Sequence, residues 1–143
     1  MVILVPTNGR EVINLSKDSL EIDHNNHLEA CVAVAARFDN SAALMHLTKI
    51  TPLDEYFQWF TQTVPRDGSQ PYLIGGMDGR SEKFVDKLRE RLCCFPYIMR
   101  KEDVLGPCRR SLQITSSGIH IQYLREYKQA GEWQLITVGT KTL

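Results

Sequence analysis

The sequence predicts an α+β fold in which mostly antiparallel β-sheet layers pack against two main helices, all within a single domain spanning residues 1–143. Three observations predict it. Two segments, 53–64 and 84–92, carry apolar residues at helical spacing. The remaining apolar residues fall in short, often alternating runs, and those runs are separated by turn signals such as Asn8-Gly9 and Ser116-Ser117-Gly118. A chain of 143 residues is one domain by size and buries a core without staples.

Along the chain, Val2 to Val5 and Val12 to Leu15 read as short strands flanking the Asn8-Gly9 turn, which is a hairpin cue. Val32, Val34, Ala36 and Phe38 then alternate with Cys31, Ala33, Ala35 and Arg37, which is strand periodicity, although the alanines leave a helical start near Cys31 open. Thr51, Pro52 and the acidic pair Asp54 and Glu55 mark a helix start with a cap, a first-turn proline and favourable dipole charges. Leu53, Tyr56, Phe57, Phe60 and Val64 give that helix one buried face, and Pro65 ends it. Tyr72 to Ile74 forms a strand ending at Gly75-Gly76. Ser81 caps a second helix whose Phe84, Val85, Leu88 and Leu92 face the core. Phe95 to Met99, Ser111 to Thr115, Ile119 to Leu124 and Trp133 to Val138 complete the strands.

Composition narrows the function classes. Lys plus Arg equals Asp plus Glu at 17 each, so no basic excess suits a nucleic-acid partner. No apolar run approaches the roughly 18 to 20 residues that span a bilayer, and the VILVP start is too short and uncharged for a signal peptide. The expectation is a cytoplasmic chain whose four cysteines are reduced thiols. Adjacent Cys93 and Cys94 suit neither a metal site nor a bridge.

The best-placed pair for nucleophilic chemistry is Cys31 and His46, at the two ends of LEACVAVAARFDNSAALMHL. Side chains alternate faces along a strand and pair across an antiparallel ladder. A turn at Asp39 and Asn40 sets Cys31 opposite Thr48 and makes His46 its diagonal neighbour on the same face. A four-residue loop from Arg37 to Asn40 sets Cys31 and His46 directly opposite, and an odd-length loop separates them to opposite faces. Taken alone, a cysteine opening an apolar strand is more often a small buried hydrophobe, and a single histidine in ALMHL is more often structural. His24, His27 and Asp23 lie in a polar loop that reads as solvated in the absence of a second ligand cluster. His120 reads as an outward strand residue. The YFQWF cluster reads as core plus one exposed aromatic, and Arg109-Arg110 as a solvated strand end.

The segment LEACVAVAARFDN followed by LMHL resembles the signature of the CheD family of chemoreceptor glutamine deamidases, a cysteine strand followed by a turn and a histidine. YLIGGM is similar to that family's Gly-Gly strand end, the Ser81 to Leu92 segment to its next helix, and EDVLGPCRRSLQITSSGIHIQY to its later arginine-containing strand and Ser/Thr-Gly turn. The likeness runs in order from about Leu28 to Tyr123. It implies Cys31 as nucleophile, His46 as its base, and Asn25 at the position of the family's threonine. Glu29-Ala30 stands where the family has Gly-Ser, and Gly106-Pro107 where it has a second glycine. These departures fit a divergent relative, of the kind represented by deamidase toxins and effectors delivered into host cells.

The resemblance implies a cysteine-dependent protein-glutamine deamidase that needs no metal or organic cofactor. Its partner would be a protein substrate bearing a reactive glutamine, with a regulatory protein as a further partner. Two other readings stay open: another Cys-His amide or ester hydrolase, and a CheD-like binding module without activity.

Overall fold

The alternating stretch after Cys31 forms the centre of the protein, because its strand is buried on both faces. The computed structural model describes residues 1–22, 28, 30–66, 70–93 and 101–143. Its elements run β1 (Val2–Leu4), β2 (Arg10–Asn14), β3 (Ser19–Ile22), β4 (Val32–Phe38), β5 (Ser41–Leu47), α1 (Leu53–Thr63), β6 (Tyr72–Gly75), α2 (Glu82–Cys93), β7 (Lys101–Val104), β8 (Arg109–Thr115), β9 (Gly118–Gln129) and β10 (Glu132–Thr142). One sheet has the order β2-β5-β4-β6-β7 and the other β1-β3-β8-β9-β10. Among these pairings only β1 with β3 and β6 with β7 are parallel, so the fold is α+β with mostly antiparallel sheets.

Three layers follow from the parity of β4 and β5. Val32, Val34, Ala36, Ala43, Met45 and Leu47 face the helices, where they meet Leu53, Phe57, Phe60, Phe84, Val85 and Leu88. Ala33, Ala35, Ala42 and Leu44 face the other way, against Leu20, Ile22, Leu112, Ile114, Ile119 and Ile121 of the second sheet. The three alanines on one sheet opposite larger residues on the other let the two layers approach closely. Both helices bury their apolar stripes against the outer face of the first sheet. Among the described residues no helix is long and apolar enough to cross a membrane.

Several local expectations change. Val2 to Val5 and Val12 to Leu15 do not form a hairpin: β1 pairs with β3 in one sheet, whereas β2 pairs with β5 in the other. The Asn8-Gly9 turn itself exists, with Asn8 at φ 62° and the Gly9 N–H on the Pro6 carbonyl at 2.8 Å. The chain changes sheet through it, because Ile3 and Val5 contribute to the inter-sheet core while β2 extends the first sheet. Thr51 does not cap α1 with its side chain. Pro52 occupies the cap position, and the Thr51 hydroxyl instead accepts the Thr48 N–H at 2.8 Å and donates to Asn8. Strands β3 and β7 escaped the periodicity reading because they carry few apolar residues, Leu20 and Ile22 in one and Val104 alone in the other. Both β9 and β10 run well past the apolar cores that announce them. Phe95 to Met99 lies outside the described residues.

Candidate active site

The β4–β5 ladder settles the register. Phe38 pairs with Ser41 and Ala33 with His46, so the turn is the two-residue one at Asp39 and Asn40. Asp39 takes a positive φ of 51°, a conformation aspartate tolerates better than most residues. Cys31 stands one position before β4, opposite Thr48 by the same register, and its side chain packs with the inter-sheet core. His46 shares that face through its pairing with Ala33. Diagonal neighbours on one face of an antiparallel pair are separated by about 7–8 Å, within reach of a long or aromatic side chain. The thiol is half-buried and the imidazole almost wholly so, at 1% exposure.

The environment of His46 determines which of its nitrogens can act. Nδ1 lies 3.3 Å from the Val5 carbonyl oxygen. A carbonyl only accepts, so Nδ1 carries the ring proton and Nε2 keeps its lone pair. Nε2 is buried and has no hydrogen-bond partner among the described residues. Burial pushes the imidazole below its ordinary pKa, a shift opposed by hydrogen bonding to the Val5 and then the Pro6 backbone. The ring is therefore neutral at neutral pH, with its Nε2 lone pair unpartnered among the described residues.

The backbone at Cys31 is held by the turn after β6 and the start of α2. The Gly76 N–H donates to the Cys31 carbonyl at 3.1 Å. Gly75 sits at φ 114°, and a Cβ there would stand 2.9 Å from that same carbonyl oxygen and 3.1 Å from Leu28. Only glycine allows this close approach. Ser81 is buried at the head of α2, where its hydroxyl accepts the Met77 N–H at 3.1 Å and donates to the Ala30 carbonyl at 3.4 Å. In a trans peptide the N–H points opposite to the C=O, so this contact aims the Cys31 N–H away from α2.

Arg110 is not a solvated strand end. It is 4% exposed, and its guanidinium donates to the carbonyls of Gly76 at 3.1 Å and Leu105 at 2.7 Å and to Asp103 Oδ2 at 3.3 Å. It also lies over the Tyr123 ring, 5.4 Å from the centroid. The Tyr123 hydroxyl donates to Asp103 at 2.6 Å, and its pKa is pushed up to about 12, first by burial and then by that bond. The Arg110 main chain pairs with Leu28 in both directions, at 2.7 and 3.0 Å. A chain of contacts thus runs from Asp103 through Arg110 and Gly76 to the Cys31 carbonyl. Strand parity could have found it, because Arg110 alternates in step with buried Leu112 and Ile114. Arg109, one step out of phase, faces the other way and pairs with Glu126 at 2.6 Å.

Among the other expected residues, His120 does face outward and is hydrogen-bonded to Thr115, Ser117 and Thr142. Asn25, Asp23, His24, His27, Glu29 and Cys94 lie outside the described residues. Within the described residues no three His, Cys, Asp or Glu side chains gather as metal ligands would. Chemically, the site offers a thiol at a strand end and, diagonally placed on the same sheet face, an imidazole whose Nε2 has no hydrogen-bond partner among the described residues. Compared with known proteins, the chain matches no protein-family model and no curated protein.

Proposed function

We propose that this protein is a cysteine-dependent protein-glutamine deamidase. The observation that carries the reading is the shared face of Cys31 and His46, with His46 neutral and its Nε2 unpartnered among the described residues. His46 Nε2 takes the Cys31 proton as Sγ attacks the carboxamide carbon of a substrate glutamine. Main-chain N–H groups at Cys31 stabilise the oxyanion. The C–N bond then breaks, His46 returns the proton to the leaving nitrogen, and ammonia departs from the thioester. Water, deprotonated by His46, attacks the thioester carbon, the C–S bond breaks, and glutamate and the Cys31 thiol result. The substrate gains one negative charge and the enzyme is unchanged.

The substrate is a protein with an accessible glutamine, and the site works in a reducing cytoplasm, where Cys31 stays a thiol. The lowered His46 pKa favours a neutral thiol and imidazole at rest over a preformed ion pair. Iodoacetamide labelling followed by mass mapping tests this. Cys31 should label faster than Cys93, Cys94 and Cys108, and His46→Ala should abolish the difference. Ammonia release from a glutamine-containing protein, lost in Cys31→Ala, separates deamidation from ester or other amide hydrolysis. Equal labelling of all four cysteines, unchanged by His46→Ala, would refute the catalytic reading.

A further inference from the structure

Independently of the chemistry at Cys31, we infer that the protein self-associates through its β9–β10 arm, the open β10 edges of two copies pairing antiparallel about a twofold axis at Leu135. Strand β8 follows β9 only as far as Leu124. Beyond it, residues 125–129 and 132–136 pair with each other alone, around a tight turn at Ala130 (φ 51°) and Gly131 (φ 83°). A two-stranded ribbon without a third strand is marginally stable in water. This one also leaves apolar surface uncovered. Trp133 is 67% exposed, its ring met by the Lys128 ammonium at 5.8 Å, and Tyr127, Ile136 and Val138 are exposed beside it.

The outermost strands of the two sheets are β1, β2, β7 and β10, and three of them are guarded. Strand β1 is three residues long, β2 carries Arg10 and Glu11, and β7 carries Lys101, Glu102 and Asp103. Short length and charge both discourage the addition of a further strand. Strand β10 has neither protection, because its run WQLITVGT from Trp133 to Thr140 holds no charge and no proline. No strand lies on its open side among the described residues.

The edge matches itself. Residues flanking a two-residue turn form the first hydrogen-bonded pair, here Gln129 and Glu132, and the bonding then alternates. The main-chain groups of Trp133, Leu135 and Thr137 therefore point to the open side. Pairing two copies about Leu135 sets Leu135 against its twin, Trp133 against Thr137, Gln134 against Ile136 and Gly131 against Gly139. The irregularity between Thr137 and Gly139 falls at the end of this contact and not inside it. Charge selects the direction: Glu132 opens β10 and Lys141 stands near its close, so antiparallel copies bring unlike ends together and parallel copies bring like ends together. Arg125 and Lys128 balance Glu126 and Glu132, so two arms meet without net repulsion.

Sedimentation equilibrium of the full chain under reducing conditions tests this. The mass should rise from 16.4 kDa to twice that value between low micromolar and sub-millimolar concentration, as a small interface requires. Over the same range, amide exchange at Trp133, Leu135 and Thr137 should slow, whereas exchange at Gln134 and Ile136, already bonded to β9, should stay constant. Leu135→Lys sets two like charges face to face on the axis, and Thr137→Pro removes an N–H from the open side. Both variants should keep the wild-type circular dichroism spectrum and remain monomeric at every concentration. A wild-type mass of 16.4 kDa throughout overturns the inference. So does a dimer that both variants retain, a dimer without the alternating exchange pattern, or growth into larger assemblies in place of a dimer.

Discussion

Replacing Arg110 with methionine tests whether a buried charge cluster supports the cysteine's backbone. The substitution keeps most of the volume and removes the donors that serve the Gly76 and Leu105 carbonyls and Asp103. Asp103, only 14% exposed, is left with the Tyr123 hydroxyl. Removing one partner of a buried pair costs about 3–5 kcal/mol, because the other charge stays desolvated. With an unfolding entropy of about 2.1 cal/mol/K per residue, a 143-residue chain should lose on the order of 10–17 °C in Tm. Differential scanning calorimetry measures this directly. Amide exchange at Leu28 and Gly76, which bond to Arg110 and Cys31, should speed up beyond the global change. Replacing both charges, as Arg110→Met with Asp103→Leu, should recover much of the loss, since no uncompensated charge remains. A single Arg110→Met variant that melts within about 1 kcal/mol of wild type, the range of an exposed ion pair, would refute this account.

Other outcomes follow from the same contacts. Because burial lowers the His46 pKa, the unfolded chain binds a proton near pH 6.5 that the native state resists, so this contribution is full above that pH and lost as pH falls below it. Urea titrations across that range should show a slope approaching about 1.4 kcal/mol per pH unit that His46→Asn flattens, and parallel slopes for the two proteins would count against a buried neutral ring. Gly75→Ala should destabilise by at least about 1–2 kcal/mol through its left-handed backbone, with a further loss from the contact on the Cys31 carbonyl. Gly79→Ala, at φ 78° with open space around its Cβ position, should lose only the backbone part in the same thermal assay. Phe57→Ala empties a fully buried site between α1 and the first sheet, and should cost about 3–5 kcal/mol by urea unfolding at unchanged pH.

The helices were legible because their evidence is local. Leu53, Phe57 and Phe60, and then Phe84, Val85, Leu88 and Leu92, recur with the helical period and are the residues buried in α1 and α2. The shared face of Cys31 and His46 was legible only in part: a two- or four-residue turn gives that parity and an odd-length loop the other, and the ladder chose the two-residue turn at Asp39 and Asn40. Thr51 misled because a threonine before Pro52 reads as a cap, whereas a more distant acceptor, Asn8, drew its hydroxyl away. Arg110 misled because an arginine pair suggests solvent, although its alternation with Leu112 and Ile114 already placed it on the inner face.

By itself, then, the sequence determined the α+β class and the two helical stripes, and left the hairpin with turns of both parities, of which only the even ones set a thiol and an imidazole on one side. Only the tertiary structure decided that the hairpin turn has two residues and that β1 and β2 belong to different sheets, which brings the Val5 carbonyl to His46 Nδ1 and leaves Nε2 without a partner among the described residues. The physical reason is that periodicity is written in side chains, whereas every residue carries the same carbonyl. Which carbonyl meets a given ring depends on how distant strands share their burial, and no short stretch of sequence records that.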